Sequence, residues 1–274
     1  MPEATSKPLR ICVLASGSSG NCTYVGHGDT GLLIDAGISA KQVLERLEAS
    51  GLGDAPIDAV LLTHEHRDHV QGARVLSTRL EKRQGHRVPF LATSGTAGQI
   101  PMQHRPAGMD YLEPELATAV GAFEIQAFSI PHDTAQPVGY RVEIDGWAVG
   151  FATDLGRSTA TVEHHLRDVD IAVLEFNHDL EMLLQGRYPW WLKQRVQSSH
   201  GHLSNEQAAD LIERVATSRL RHLVLAHLSH ENNRPARARA AAHAALARSR
   251  APEEIQVTVG SQTHPSAVLT LESS

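Results

Sequence analysis

The sequence predicts an α+β fold in which two β-sheets pack face to face with helices on their outer sides. Three observations carry that expectation. Twelve short apolar runs, rich in β-branched residues and bounded by turn residues, read as strands. Stretches with apolar residues at helical spacing lie between them. The same order of elements is stated twice, before and after residues 102–119, with no composition break or Gly/Ser-rich linker between the halves. One domain is therefore expected over 1–274, with a flexible N-terminus over 1–9.

In chain order the strand candidates are "RICVLAS", "CTYVG", "GLLIDAG", "AVLLT" and "PFLAT", then "FEIQAFSI", "GYRVEI", "WAVGFATD", "IAVLEF", "HLVLAH", "IQVTVG" and "AVLTLE". Their succession looks antiparallel. A helix is expected over 39–49, where Val43, Leu44 and Leu47 line one face, Ser39 and Gln42 form a capping box, and Gly51 follows the end. A second is expected over 205–220, with Ser204 as N-cap and Gln207 three residues on. "TATVEHHLRDV" and "RPARARAAAHAALARSR" are further helix candidates, the latter a surface helix.

Composition removes several classes. The formal net charge of -6 argues against a surface that coats DNA indiscriminately, though not against a local cleft. Cys12 and Cys22 are too few for a disulfide scaffold or a cysteine zinc site. The N-terminal "MPEATSKPLR" has no apolar core of a signal peptide, and no run is long enough to span a membrane. A cytoplasmic protein with reduced thiols is expected. The outlying count is 17 histidines, many of them at the ends of apolar runs.

"LLTHEHRDHV" concentrates them. It is not the metalloprotease His-Glu-x-x-His, because Asp68 stands four residues after His64. A turn at a strand end instead lets His64 and His66 reach one way and Asp68 and His69 the other. "FSIPHD" puts His132 directly after a strand, "VGFATDLG" does so for Asp154, and "LVLAHLS" for His227. Strand ends share a rim, so these groups can meet. Imidazole and carboxylate suit zinc, manganese or iron. His64, His66 and His132 would hold one ion and Asp68, His69 and His227 another, with Asp154 bridging, since a carboxylate has two oxygens to offer. An open position on each would leave the pair catalytic.

The Thr-His-x-His-x-Asp-His run, with the downstream His, Thr-Asp and His, resembles the metallo-β-lactamase fold superfamily. That resemblance implies an αβ/βα four-layer sandwich of two mixed sheets with metals on the rim. It also matches Asp35 in "LLIDAG" to an early aspartate that supports the site from behind the ligands. "SGSSGN", "LEFNHD", "YPWWLKQR" and "GHLSN" together are similar to the YycJ/WalJ branch of the superfamily, over residues 10–233. The branch implies a DNA-processing nuclease with 5'-directed exonuclease activity, and two divalent ions, Zn2+ or Mn2+, with iron also admissible. Glu175 and His202 correspond in order to a glutamate and a histidine that RNase Z uses beside its metals.

Phosphodiester hydrolysis also needs a proton for the departing oxygen, and His202 oriented by Glu175 can supply it. Asp68, Glu175 and His202 are thus the catalytic candidates. "ASGSSGN" lacks P-loop and nucleophile-elbow spacing and reads as a tight turn. Ser18 and Asn21 from that turn, Asn177, His178, Lys193 and Arg195 are the candidate substrate contacts. Arg79, Lys82, Arg83 and Arg87 could add backbone contacts, and Trp190 and Trp191 could stack on an unpaired base. Against these roles stand the ordinary ones, a charge run that solvates a helix and tryptophans that pack. A small ester, thioester or lactone hydrolase with the same ligands, and a metal-dependent DNA-binding protein without catalysis, are the alternatives.

Overall fold

A computed structural model of the chain describes residues 7–252 and 254–272. In the first half, β1 (Leu9–Ala15), β2 (Cys22–His27) and β3 (Thr30–Ile34) form an antiparallel meander. β4 (Ala59–Leu61), β5 (Phe90–Ala92) and β6 (Met109–Tyr111) extend the sheet in parallel. Parallel neighbours need crossovers, usually helical. Here these are α1 (Ala40–Ala49), then α2 (Arg67–Val70) with α3 (Ala73–Gln84), then α4 (Ser94–Gln99). The second half repeats the plan. β7 (Ala117–Val120), β8 (Phe123–Ser129), β9 (Val138–Ile144) and β10 (Trp147–Ala152) are antiparallel neighbours. β11 (Ile171–Glu175), β12 (His222–Ala226) and β13 (Gln256–Val259) follow in parallel. Their crossovers are α5 (Ala160–Leu166), then α6 (Leu180–Gln185), α7 (Trp190–Val196) and α8 (Asn205–Val215), then α9 (Pro235–Arg248). Finally β14 (Leu269–Leu271) returns to the first sheet and pairs antiparallel with β1, Leu9 opposite Leu271.

The two mixed sheets implied by the resemblance form, ordered β14-β1-β2-β3-β4-β5-β6 and β13-β12-β11-β10-β9-β8-β7, and the antiparallel look of the succession fails only for β4 to β6 and β11 to β13. The reason is burial on both faces, which turns alternating patterns into continuous apolar runs. Ile171 and Val173 of β11 face the space between the sheets, while Ala172 and Leu174 face α5, α8 and α9. Likewise Leu9, Ile11 and Val13 of β1 face the second sheet, and Cys12 and Leu14 face α1 and α3. Each fully buried large side chain contributes roughly 1.5–3 kcal/mol, so a charge at Val173 would be expected to break the contact between the sheets.

The capping boxes at Ser39/Gln42 and Ser204/Gln207 both form. Thr159 caps α5, and Pro235 occupies the first turn of α9, where a missing N–H costs nothing. The helix expected over 205–220 ends at Val215, because Ala216 is extended and Leu220 closes a separate turn onto the Thr217 carbonyl. Most of the expected flexible stretch 1–9 falls on residues 1–6, which lie outside the described residues, and Leu9 already opens β1.

Candidate metal centre

Within each sheet, the strands that feed the site end at the same rim. Asp35 follows β3 and His64 follows β4, while His132, Asp154 and His227 follow β8, β10 and β12, and Glu175 ends β11. Three of these residues leave their strands in the left-handed region, with φ 63° at Asp35, 57° at Asp154 and 54° at His227. For a residue with a Cβ this costs about 1–3 kcal/mol, and it turns each side chain off its strand and into the cluster.

The histidine-rich turn is built on close backbone contact. The His69 amide donates to the His66 carbonyl at 2.9 Å, and Asn21 N–H donates to the Asp68 carbonyl at 2.8 Å. Gly37 lies so near that a Cβ there would overlap the Asp68 carbonyl oxygen.

Most imidazoles are held by one nitrogen and present the other. His69 Nδ1 meets Asp35 Oδ2 at 2.7 Å, and His64 Nδ1 meets Thr63 Oγ1 at 3.0 Å. His132 Nδ1 donates to the Gly201 carbonyl at 3.2 Å, and His227 Nδ1 meets Glu175 Oε1 at 2.9 Å. Such outer partners fix the ring orientation that turns Nε2 toward the centre. The candidate ligand atoms converge. His64, His66 and His132 form one group, Asp68, His69 and His227 another, and Asp154 falls with His64 and His69 and also with Glu175, His202 and His227. Within each group the ligand atoms lie within 4.8 Å of one another.

Carboxylates and burial act on the imidazoles in opposite directions here. Burial alone would lower His227, but Asp154, Asp68 and Glu175 overcome it and push it up to about 10. Burial likewise opposes a proton on His69, yet Asp35, Asp154 and Asp68 hold it well above the usual imidazole range. His64 behaves oppositely: burial and the neighbouring His69 lower it well below that range. Its Nε2 is buried without a hydrogen-bond partner among the described residues. So is Asp154 Oδ2, which lies 3.1 Å from His69 Nε2 without the alignment of a hydrogen bond. Buried polar atoms are rarely left so. A buried imidazole nitrogen and a buried carboxylate oxygen left open, inside a cluster of histidines and carboxylates, fit a site for metal ions.

Comparison with known proteins agrees. A sequence profile described as "Beta-lactamase superfamily domain" matches residues 30–228. The chain belongs to the metallo-β-lactamase fold superfamily. It is 34% identical over 232 residues to Exodeoxyribonuclease YycJ of Bacillus anthracis, covering 82% of this chain and 84% of that one. Exodeoxyribonuclease WalJ of Streptococcus pneumoniae is 33% identical over 230 residues, covering 82% and 83%. Among solved structures, the metallo-beta-lactamase fold protein YhfI from Bacillus subtilis shares the fold with a TM-score of 0.72, over 96% of this chain and 100% of that one, at 17% identity. Human tRNase Z, short form, does so with a TM-score of 0.62 over 94% and 98%, at 17% identity.

The fold of the superfamily brings the seven expected ligands into one cluster. His202 and Glu175 stand beside it: His202 Nδ1 meets Glu175 Oε1 at 2.8 Å, and Glu175 Oε2 accepts the Leu155 and Leu203 amides at 2.9 Å and 3.0 Å. Burial would raise Glu175, but His202 and His227 hold it down at about 2. Ser18 and Arg195 line the mouth over the cluster. Three of the other expected substrate contacts are corrected. Asn21 is buried, bonded to the Gly17 backbone and 3.0 Å from His69 Nε2, so it braces the turn. His178 is buried at 1% exposure. Lys193 spends its ammonium on the Leu184 carbonyl at 2.6 Å. Asn177 donates to the His227 carbonyl at 3.0 Å and lines the adjoining cavity instead of the mouth over the cluster. The run Arg79, Lys82, Arg83 and Arg87 is corrected too. Gln84, at the end of α3, bonds the Ile57 carbonyl ahead of β4, which sets that end toward the rim opposite His64.

Several working residues carried no sequence signal of their own. Thr63 Oγ1 joins Asp35, His64 and His69, and Ser16 Oγ accepts the His227 amide at 2.7 Å. Hydroxyls in such numbers in any sequence hide the few that matter.

Proposed function

We propose that the protein is a phosphodiesterase that degrades DNA from a 5' end, using two divalent ions, Zn2+ or Mn2+, with iron also admissible. His64, His66 and His132 would hold one ion, Asp68, His69 and His227 the other, and Asp154 both. Bound there, the ions would supply Lewis acidity, lowering the pKa of water and offsetting charge on the phosphoryl group.

The observation that carries this reading is the Glu175–His202 pair. An ionised Glu175 accepts from His202 Nδ1–H, which leaves His202 Nε2 to deliver a proton. Departing sugar oxygens need that proton far more than thiolates do, which favours a phosphodiester over a thioester. His202 and Arg195 line the same mouth. Arg195 is tied to Asp133 through Nε at 2.6 Å, so its terminal nitrogens remain for phosphate oxygens. Trp191 is 65% exposed and lies one helical turn before Arg195 on the same face, a stacking surface for an unpaired base. The relatives named exodeoxyribonuclease support DNA as the substrate.

The test is purified protein with Mn2+ or Zn2+ on DNA labelled at either end, on RNA, on bis-p-nitrophenyl phosphate and on a thioester. Stepwise loss from 5' ends of DNA is expected. Faster turnover of the thioester than of any phosphodiester would reverse the reading.

A further inference from the structure

Beside the mouth lies a cavity of ≈ 210 Å³. It shares Ser18, Arg195 and His202 with the mouth over the metal cluster. We propose that this cavity seats the 5'-terminal nucleoside of the DNA, the piece released by the cut. This rests on the DNA phosphodiesterase reading above.

Position gives the first argument. His202 lines both spaces and is the group assigned to protonate the departing oxygen; when water adds to phosphorus and the P–O3' bond breaks, that oxygen is the 3'-oxygen of the 5'-terminal nucleoside, so the space beside His202 belongs to the departing piece. Size gives the second. A space of ≈ 210 Å³ lies below the roughly 300–1,000 Å3 that drug-sized ligands fill and suits one base with part of its sugar.

The lining gives the third. Tyr188, Leu192 and Val196, from α7 and the turn before it, form an apolar wall with one aromatic face. Asn177 and Ser229 also line it. Asn177 commits its amide nitrogen to the His227 carbonyl and keeps its oxygen free among the described residues. Ser229 Oγ accepts the Asn232 amide and keeps its proton to donate. The Tyr188 hydroxyl takes no partner among the described residues. An aromatic face with a few unspent donors and acceptors suits a nucleobase.

Two measurements test the site. Saturation-transfer NMR follows thymidine, which carries no phosphate, on the metal-free protein. Turnover of the metal-loaded protein is then compared on DNA with an ordinary or an abasic 5'-terminal nucleotide. Thymidine is expected to bind the wild type and to bind at least 10-fold more weakly to Leu192→Trp, which fills the cavity. The abasic end is expected to be removed about 10-fold more slowly. If circular dichroism finds Leu192→Trp unfolded, Tyr188→Ala carries the same comparison. Equal thymidine binding by wild type and variant would overturn the assignment, as would equal rates on the two ends. DNA cleavage without thymidine binding also overturns it while sparing the DNA reading. Thymidine binding by a protein that hydrolyses bis-p-nitrophenyl phosphate but no DNA keeps the nucleoside site and removes the DNA reading.

Discussion

Glu175→Gln replaces one oxygen by an NH2 group and should damage two imidazoles at once. Glu175 Oε2 accepts two backbone amides, from Leu155 and Leu203, while Oε1 faces His202 Nδ1 and His227 Nδ1. A glutamine can satisfy one side only. With its oxygen toward the amides, its NH2 faces both Nδ1 atoms and forces each to accept, moving the ring proton to Nε2. His227 then offers N–H where a ligand needs a lone pair. With the amide reversed, NH2 meets two buried N–H donors, each left unsatisfied at about 1–3 kcal/mol, or about 2–6 kcal/mol together. The first arrangement is therefore expected. Loss of an outer partner lowers metal affinity about 10–100-fold, and a His202 whose Nδ1 must accept can no longer carry both protons, so it is a weak acid and the rate falls by roughly 10²–10⁴. Metal affinity by isothermal titration and turnover of end-labelled DNA at saturating metal read the two effects separately. A Glu175→Gln protein with wild-type values for both would refute the tautomer argument.

His202→Ala should keep both metals and lower DNA turnover by roughly 10²–10⁴, with a much smaller loss on bis-p-nitrophenyl phosphate, whose leaving group hardly needs a proton; equal losses would sink the proton-donor role. Asp154→Asn should bring metal content toward one ion, because the amide keeps the shape without the charge that holds two cations, and elemental analysis finding two equivalents would contradict the bridge. Arg195→Ala should weaken DNA turnover and flatten its salt dependence, since fewer counterions are released; an unchanged salt slope removes Arg195 from the backbone. Gln262→Ala should cost about 1–3 kcal/mol in urea unfolding, from two hydrogen bonds at roughly 0.5–1.5 kcal/mol each, because Gln262 accepts the Ser19 amide at 2.9 Å and donates to the Gly20 carbonyl at 3.0 Å.

The layers and the ligand cluster were legible because both rest on local signals: apolar runs for strands, and coordinating groups immediately after them. All twelve expected strands form. β6 and β7 escaped notice because edge strands with exposed residues carry no apolar run. α3 was hidden by its charges, though Leu76 and Leu80 stand four apart on its buried side. Substrate contacts were the least legible. Lys193 and Arg195 are two residues apart in the sequence, yet one turns inward to a carbonyl and the other outward to the mouth. Only the path of the preceding chain decides which. The last forty residues carried no motif, yet they supply β14 and the Gln262 clamp, contacts between positions too far apart for any local pattern to encode.

The left-handed backbone at Asp35, Asp154 and His227 bears on how a lineage of such proteins would change. Glycine is the residue most at ease in that conformation, and at these positions it would also remove a buried ionisable group. Selection for activity therefore works against relaxation at three points of the chain. A duplicated copy freed from that selection should gain thermal stability as it loses the reaction, accumulating glycine or asparagine there first. A melting temperature that rises in step with inactivation would mark such a copy as retired from catalysis, and a screen for stability alone would steer toward the same three positions.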